Sequence, residues 1–181
     1  MNSNFWIVDY IRSNTPEIFI DVGAKTGYIG QQASYAGAFT HFFEPDPKYA
    51  QMIDFVLDDA DVNGKHSKMA ISNFNGKATL YKSNKGLQIL YSGDQVRVKC
   101  KKLDCMFHPD LFVNIDVGVH INVGGQELRV LEGMRDIVDS VDYVILEMHP
   151  DQNAFVEETI ETITDYGLNE GKSMEEVYIF L

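Results

Sequence analysis

Cysteine is nearly absent from this chain: Cys100 and Cys105 are the only two. Two thiols make neither a disulfide framework nor a zinc site, so they read as reduced thiols and point to the cytoplasm. No run approaches the roughly 20 consecutive apolar residues of a membrane span. Met1-Asn-Ser-Asn-Phe-Trp6 lacks a basic region followed by an apolar one, so neither a secretory leader nor a membrane association is expected. Positive charge is scarce as well. Fifteen Lys and Arg against 27 Asp and Glu leave a net charge of -12. That balance disfavours a non-specific grip on nucleic acid or anionic lipid, although a local basic strip is compatible with it. Repeats, low-complexity tracts and linkers are missing too. What is present is an ordinary globular mixture, 45% apolar and 23% charged over 181 residues, which suits one domain spanning 1–181.

The apolar pattern alternates between strands and helices. Residues 4–13 read as an amphipathic helix with Phe5, Val8 and Trp6 or Ile11 toward a sheet. Ile18–Ile20 is a short apolar run, as in a strand buried on both faces, and Asp21 ends it. A helix over 28–36 stops near Gly37, and Phe39–Phe43 forms a second strand. Pro47 opens a helix that reaches Asp59, and Lys65–Ile71 is a third strand. Asn75-Gly76 is a strong turn signal. After it, residues 75–102 read as short antiparallel strands (77–82, 87–91 and 95–101) inserted beside an α/β unit. The rhythm resumes with a fourth parallel strand at Leu111–Val117, a helix over 124–138, a fifth strand at 141–147 and a helix over 153–166. Segments 167–171 and 176–181 would close the sheet as an antiparallel hairpin. Arg97, Lys99 and Lys101 share one face of their strand, as a charged edge strand protected from aggregation would, or to engage an anionic substrate.

The stretch Ile18–Gly30 organises the rest. Gly23 and Gly27 bracket a tight turn between strand and helix, and the helix start offers free N–H groups above the strand ends. Its spacing, Asp-x-Gly-x-x-x-Gly, is not the Gly-x-Gly-x-x-Gly of dinucleotide sites. Without a pyrophosphate to cradle, the looser spacing suits a zwitterionic ligand such as S-adenosylmethionine. Its ammonium would face Asp21 and its carboxylate the loop N–H groups. The expected parallel strands end in polar or acidic residues, with the acids Asp21, Glu44, Asp116 and Glu147 at four of the five. Glu44 lies 23 residues after Asp21, the separation at which an acid meets ribose hydroxyls.

Several segments in this order resemble the FkbM family of S-adenosylmethionine-dependent methyltransferases. They are Phe19-Ile-Asp-Val-Gly-Ala-Lys-Thr-Gly27, Phe43-Glu-Pro-Asp-Pro47, Met69-Ala-Ile-Ser72 with Asn75-Gly76, Lys102-Leu-Asp104, Val113-Asn-Ile-Asp-Val117, Gln126-Glu-Leu-Arg-Val-Leu-Glu-Gly133 and Ile145-Leu-Glu-Met-His149. The resemblance covers most of residues 18–149. It implies a class I, Rossmann-like α/β fold with a mostly parallel sheet between helices, and methyl transfer to a hydroxyl of a small molecule or sugar. By position, Asp21, Gly23, Ala24, Lys25, Thr26 and Gly27 would surround the methionine part of the cofactor. Glu44 and Pro45 would meet the ribose, and Asp46, Ala70 and Ile71 would lie near the adenine. The family reads Lys-x-Asp-Val-Glu-Gly-x-Glu after the fourth strand. Here Asn114 stands for the Lys, and Gly118–Val123 looks inserted, as a glycine-flanked flap over the methyl pocket.

The expected chemistry places Asp116 against the acceptor and the cofactor, with Glu147, His149 and His120 as further catalytic candidates. A histidine accepts protons near neutral pH. A divalent metal held by Asp116, Glu147 and a histidine would suit oxygen and imidazole donors, but no dedicated spacing indicates one. Two other readings stay open. One is a non-catalytic cofactor-binding module. The other is an RNA ribose methyltransferase with a Lys-Asp-Lys-Glu tetrad, of which only Asp116 has a counterpart.

Overall fold

The computed structural model describes residues 3–83, 86–88, 94–148, 156–174 and 176–181. Its main body is a seven-stranded sheet in the order β10-β11-β9-β8-β1-β2-β3. The five strands β9-β8-β1-β2-β3 run parallel. They comprise β1 (Ile18–Val22), β2 (Phe39–Phe43), β3 (Gly64–Ser67), β8 (Val117–Ile121) and β9 (Tyr143–Glu147). The hairpin of β10 (Glu170–Met174) and β11 (Val177–Phe180) adds antiparallel strands on the β9 side. A second sheet, in the order β4-β7-β5-β6, holds β4 (Ala70–Ile71), β5 (Gly76–Ser83), β6 (Gly86–Gln88) and β7 (Gln95–Lys101). Helices α1 (Ser3–Ser13), α2 (Tyr28–Ala36), α3 (Pro47–Leu57), α4 (Glu127–Glu132) and α5 (Val156–Asp165) complete the expected α/β arrangement.

The central strands β1, β8 and β9 are apolar and buried almost throughout, as strands covered on both faces must be. One face packs Ile20, Val22, Val119, Ile121, Val144 and Leu146 with α4 and α5. The other packs Phe19, Tyr143 and Ile145 under α1 and α2. Helix α1 presents Ile7, Val8 and Ile11 to that core, whereas Phe5 is 65% exposed. The 3.6-residue period favours 7/8/11 over a stripe starting at Phe5, because Asp9 and Arg12 must stay in water.

Several boundaries move, each for a physical reason. Strand β1 runs past Asp21 to Val22, because Asp21 finds buried partners instead of ending the strand. The third strand divides: Gly64–Ser67 joins the main sheet, and Ala70–Ile71 pairs with β7 in the small one. Helix α3 stops at Leu57, short of the acidic run at its negative end. Helix α4 spans only Glu127–Glu132 and gives way at Gly133, whose backbone lies against Ser72. The largest change concerns the fourth strand. Residues Pro109–Phe112 form a 3-10 turn and Asn114 has a φ of 59°, so the strand begins only at Val117. Residues 118–121, expected as a flap, are the buried centre of β8. Strand β7 lies between β4 and β5 in the small sheet, but β4 covers only Cys100 and Lys101, so among the described residues Gln95–Lys99 remains an open edge. Of the expected strand 87–91, positions 89–91 lie outside the described residues.

Gly30 shows how tightly α2 sits on the sheet. A Cβ there would lie 2.3 Å from Phe42 Cε1 and 2.8 Å from Asp21 Oδ2. Alanine gains about 1 kcal/mol over glycine in a helix, yet overpacking a rigid core costs about 1–3 kcal/mol. The clash wins. Gly30→Ala is therefore expected to lower the unfolding free energy by up to about 2 kcal/mol, the overpacking cost less the helix gain, measured by urea denaturation; a stabilised variant would contradict this packing.

Candidate active site

The carboxyl ends of the parallel strands carry Asp21, Glu44, Asn122 and Glu147. Gly23 and Ala24 N–H both donate to Phe43 O, so the loop after β1 folds back over β2. Lys25 follows in the left-handed region (φ 50°). Its N–H donates to Glu44 Oε2 at 2.9 Å, and Asp46 N–H donates to Glu44 Oε1 at 2.7 Å. Glu44 thus fastens the β1 loop to the turn that starts α3, where Asp46 caps the helix by accepting from Lys48 N–H. Burial pushes the Glu44 carboxyl up to about 6, against the pull of those two N–H groups.

Beneath the loop lies a three-residue array. His120 Nδ1 is 2.8 Å from Asp21 Oδ1, and His120 Nε2 is 2.8 Å from Glu147 Oε1. Asp21 Oδ2 accepts from Gly30 N–H at 3.0 Å in the first turn of α2. All three residues are buried, at 0%, 3% and 5% exposure for Asp21, His120 and Glu147. Burial disfavours a charged imidazole here, but hydrogen bonds and attraction from Asp21 and Glu147 outweigh it and raise its pKa to about 9. Burial likewise opposes charge on Glu147, while the His120 and Asn122 hydrogen bonds bring it down to about 2. The array is an imidazolium between two carboxylates. Both ring nitrogens are used, and among the described residues no group of three His, Cys, Asp or Glu side chains is arranged to hold a metal ion.

Two cavities open above the strand ends and share a wall of Gly23, Lys25 and Asn122. Lys25 Nζ donates to Asn122 Oδ1 at 2.8 Å across that wall. The first cavity, about 280 Å³, lies under the small sheet; Glu44, Pro45, Ala70, Ile71, Leu80 and Gln126 are among its lining. Gln126 Oε1 is buried there with no hydrogen-bond partner. The second, about 270 Å³, is bounded by Asn4 and Tyr28 above and His120 and Glu147 below.

Most anticipated residues meet here. Gly23 and Lys25 line both cavities, Glu44, Pro45, Ala70 and Ile71 the first, and Ala24, Thr26, His120 and Glu147 the second. Gly27 caps α2 with φ 80°. Asp21 faces neither cavity, its oxygens being spent on Gly30 and His120, so it does not meet a ligand ammonium directly. Asp116 is a correction. Ile18 pairs with Val117, so Asp116 lies at the opposite end of the sheet, exposed, where its C=O accepts from Glu17 and Ile18 N–H. It is remote from acceptor and cofactor alike, and from any metal set with Glu147. His149 lies outside the described residues. Asn122 and Gln126 were missed, and a signal for them existed: His120-Ile-Asn-Val-Gly124 echoes Asn114-Ile-Asp-Val-Gly118, and the strand end belongs to the second copy.

Removal of His120 tests the array. Its raised pKa means its stabilising charge is fully present below pH 6.5 and is lost as pH rises through about 9. His120→Leu is expected to cost about 3–5 kcal/mol at neutral pH, since it leaves two buried carboxylates unpaired. It should also flatten the decline in melting temperature between pH 6.5 and 9. A variant that keeps that alkaline slope would show that His120 is not the titrating group.

No family model and no curated protein sequence matches the chain. Solved structures do. Magnesium protoporphyrin IX methyltransferase from Synechocystis PCC 6803, with bound S-adenosylmethionine, aligns with a TM-score of 0.58 at 11% identity over 98% of this chain and 76% of that one. A putative RNA methyltransferase from Pyrococcus horikoshii gives 0.57 at 16% identity, over 99% and 82%. Precorrin-6y C5,15-methyltransferase from Geobacter metallireducens GS-15 gives 0.55 at 14%, over 98% and 86%. At such identities the likeness is one of fold, and the chain has the class I S-adenosylmethionine-dependent methyltransferase fold.

Proposed function

We propose that this protein is an S-adenosylmethionine-dependent methyltransferase that acts on a hydroxyl group of a small molecule or sugar, in the manner of the FkbM family. One observation carries the reading: a largely apolar cavity over the strand ends, with the Glu44 carboxylate fixed in its wall and a buried, unpartnered Gln126 Oε1 beside it. An adenosine fits those groups. Each Glu44 oxygen already takes one N–H and keeps lone-pair capacity for ribose hydroxyls, while Gln126 Oε1 lacks a donor such as an exocyclic amine. Lys25 Nζ, which has donors left beyond the one given to Asn122, suits a carboxylate, whereas the Gly23, Ala24, Lys25 and Gly27 N–H groups are spent on Phe43, Glu44 and Ala24. Bound there, the cofactor would supply a methyl group on a sulfonium, a good electrophile without a metal.

The sequence supports the same reading. The family pattern Lys-x-Asp-Val-Glu-Gly-x-Glu fits His120–Glu127 without an insertion, with His120, Asn122 and Gly124 replacing its Lys, Asp and first Glu. The last Glu is kept as Glu127, whose Oε1 accepts from Val123 and Gly125 N–H. Glu147 lines the second cavity as a carboxylate held ionised by His120, suited to receive a hydrogen bond from an acceptor hydroxyl and to fix its direction.

Calorimetric titration tests the cofactor. S-adenosylmethionine or its demethylated product is expected to bind and NAD is not; tighter NAD binding overturns the reading. Glu44→Ala should weaken the cofactor by about 1.5–3 kcal/mol, roughly tenfold to a hundredfold. It should also lower the melting temperature, because it orphans the Lys25 and Asp46 N–H groups. Since Glu44 gains its proton near pH 6, wild-type affinity should fall as pH drops from 7 to 5, and Glu44→Ala should remove that dependence. An unchanged dissociation constant in the variant would reduce Glu44 to a turn residue.

A further inference from the structure

The small sheet carries a charge opposite to that of the rest of the molecule. Residues 75–101 hold six basic side chains (Lys77, Lys82, Lys85, Arg97, Lys99, Lys101) and one acid, Asp94. That is +5, leaving -17 on the remaining chain, with nine basic and 26 acidic residues. Register concentrates this charge further. On β7, Val96, Val98 and Cys100 turn inward while Gln95, Arg97, Lys99 and Lys101 are exposed. Lys77 stands directly opposite Lys99, and Thr79 opposite Arg97. Like charges paired across strands destabilise a sheet. Among the described residues none of Lys77, Arg97, Lys99 and Lys101 has an acidic partner.

Strand β4 reaches only Cys100 and Lys101, so among the described residues the stretch Gln95–Lys99 keeps an open edge that charge protects; edge protection does not call for Lys77 directly opposite Lys99 on one face. Nor do these charges line the first cavity, to which β5 and β7 contribute Ala78, Thr79, Leu80 and Cys100 but none of their basic side chains. Their geometry is linear. Arg97, Lys99 and Lys101 follow one strand at about 7 Å intervals, with Lys77 beside the middle one and the half-buried Tyr81 opposite Gln95 at the end. A line of cations beside an aromatic ring and hydroxyls matches a chain-like polyanion better than a plane of headgroups.

We propose that the outward face of β5 and β7 binds single-stranded nucleic acid through its phosphates. The acidic remainder of the molecule keeps that contact weak and local, and makes it strongly salt-dependent. The inference rests on the small sheet alone and stands whether or not the crevice binds a cofactor.

Fluorescence anisotropy with a labelled 12-nucleotide oligouridylate tests it. Binding is expected at about 20 mM salt and should weaken roughly a hundredfold or more by about 200 mM, the dependence for three or four neutralised phosphates on a single strand. The double substitution Arg97→Glu/Lys99→Glu should weaken low-salt binding at least tenfold. Its melting temperature should be unchanged or higher, because K99E sets an acid opposite Lys77. Lys99→Gln, which only removes charge, should fall between the two. Absence of oligonucleotide binding at low salt overturns the proposal, as does binding that the double variant retains. Uptake by phosphatidylserine vesicles without oligonucleotide binding also overturns it, in favour of a membrane surface.

Discussion

One imidazolium holds the carboxyl ends of three adjacent parallel strands in register. His120 on β8 bridges Asp21 on β1 and Glu147 on β9, and Asp21 passes the constraint to α2 through Gly30 N–H. Carboxylates buried this deeply cannot stay ionised without a partner, so the position between them needs a group that stays positive without water. A histidine does so only because both neighbours are anionic. The loop after β1 rests on this base, and so do both cavities. The charge on the array is therefore a folding constraint first and a feature of the second cavity's floor second.

Glu44 performs the corresponding task on the other side of the loop. Its two oxygens tie Lys25 to Asp46, and so the β1 turn to the start of α3. A carboxylate is an effective clamp here because it accepts several bonds at once and keeps capacity for a ligand. The crevice is thus preorganised by groups that also face it. The wall of Gly23, Lys25 and Asn122 divides it into a mostly apolar compartment and a polar one. Gly23 is held close to that wall, since a Cβ there would lie 2.1 Å from Asn122 O.

The small sheet separates two surfaces by the simplest property of a strand, its two-residue period. One side gives Ala78, Leu80, Val98 and Cys100 to an apolar cluster and the roof of the first cavity. The other gives water a row of cations.

Much of this was legible in the sequence. The Asp21–Gly27 turn, Glu44, the terminal hairpin and the α/β class follow from local rules: apolar runs, glycine spacing, and proline and asparagine at turns. Those rules depend on neighbours along the chain, so a reader of the chain can apply them. The fourth strand was not legible. Asn114-Ile-Asp-Val-Gly118 and His120-Ile-Asn-Val-Gly124 are nearly the same local signal, and only pairing with β1 selects the second. In that register Val117, Val119 and Ile121 align with Ile18, Ile20 and Val22, which buries apolar side chains on both strands. The choice moves Asp116 to the far end of the sheet and brings His120 between Asp21 and Glu147. The sequence alone determined the glycine turn and Glu44, which depend on neighbours along the chain. The tertiary structure decided which acid faces the crevice, because strand register is set by burial between segments 99 residues apart, Asp21 and His120 among them.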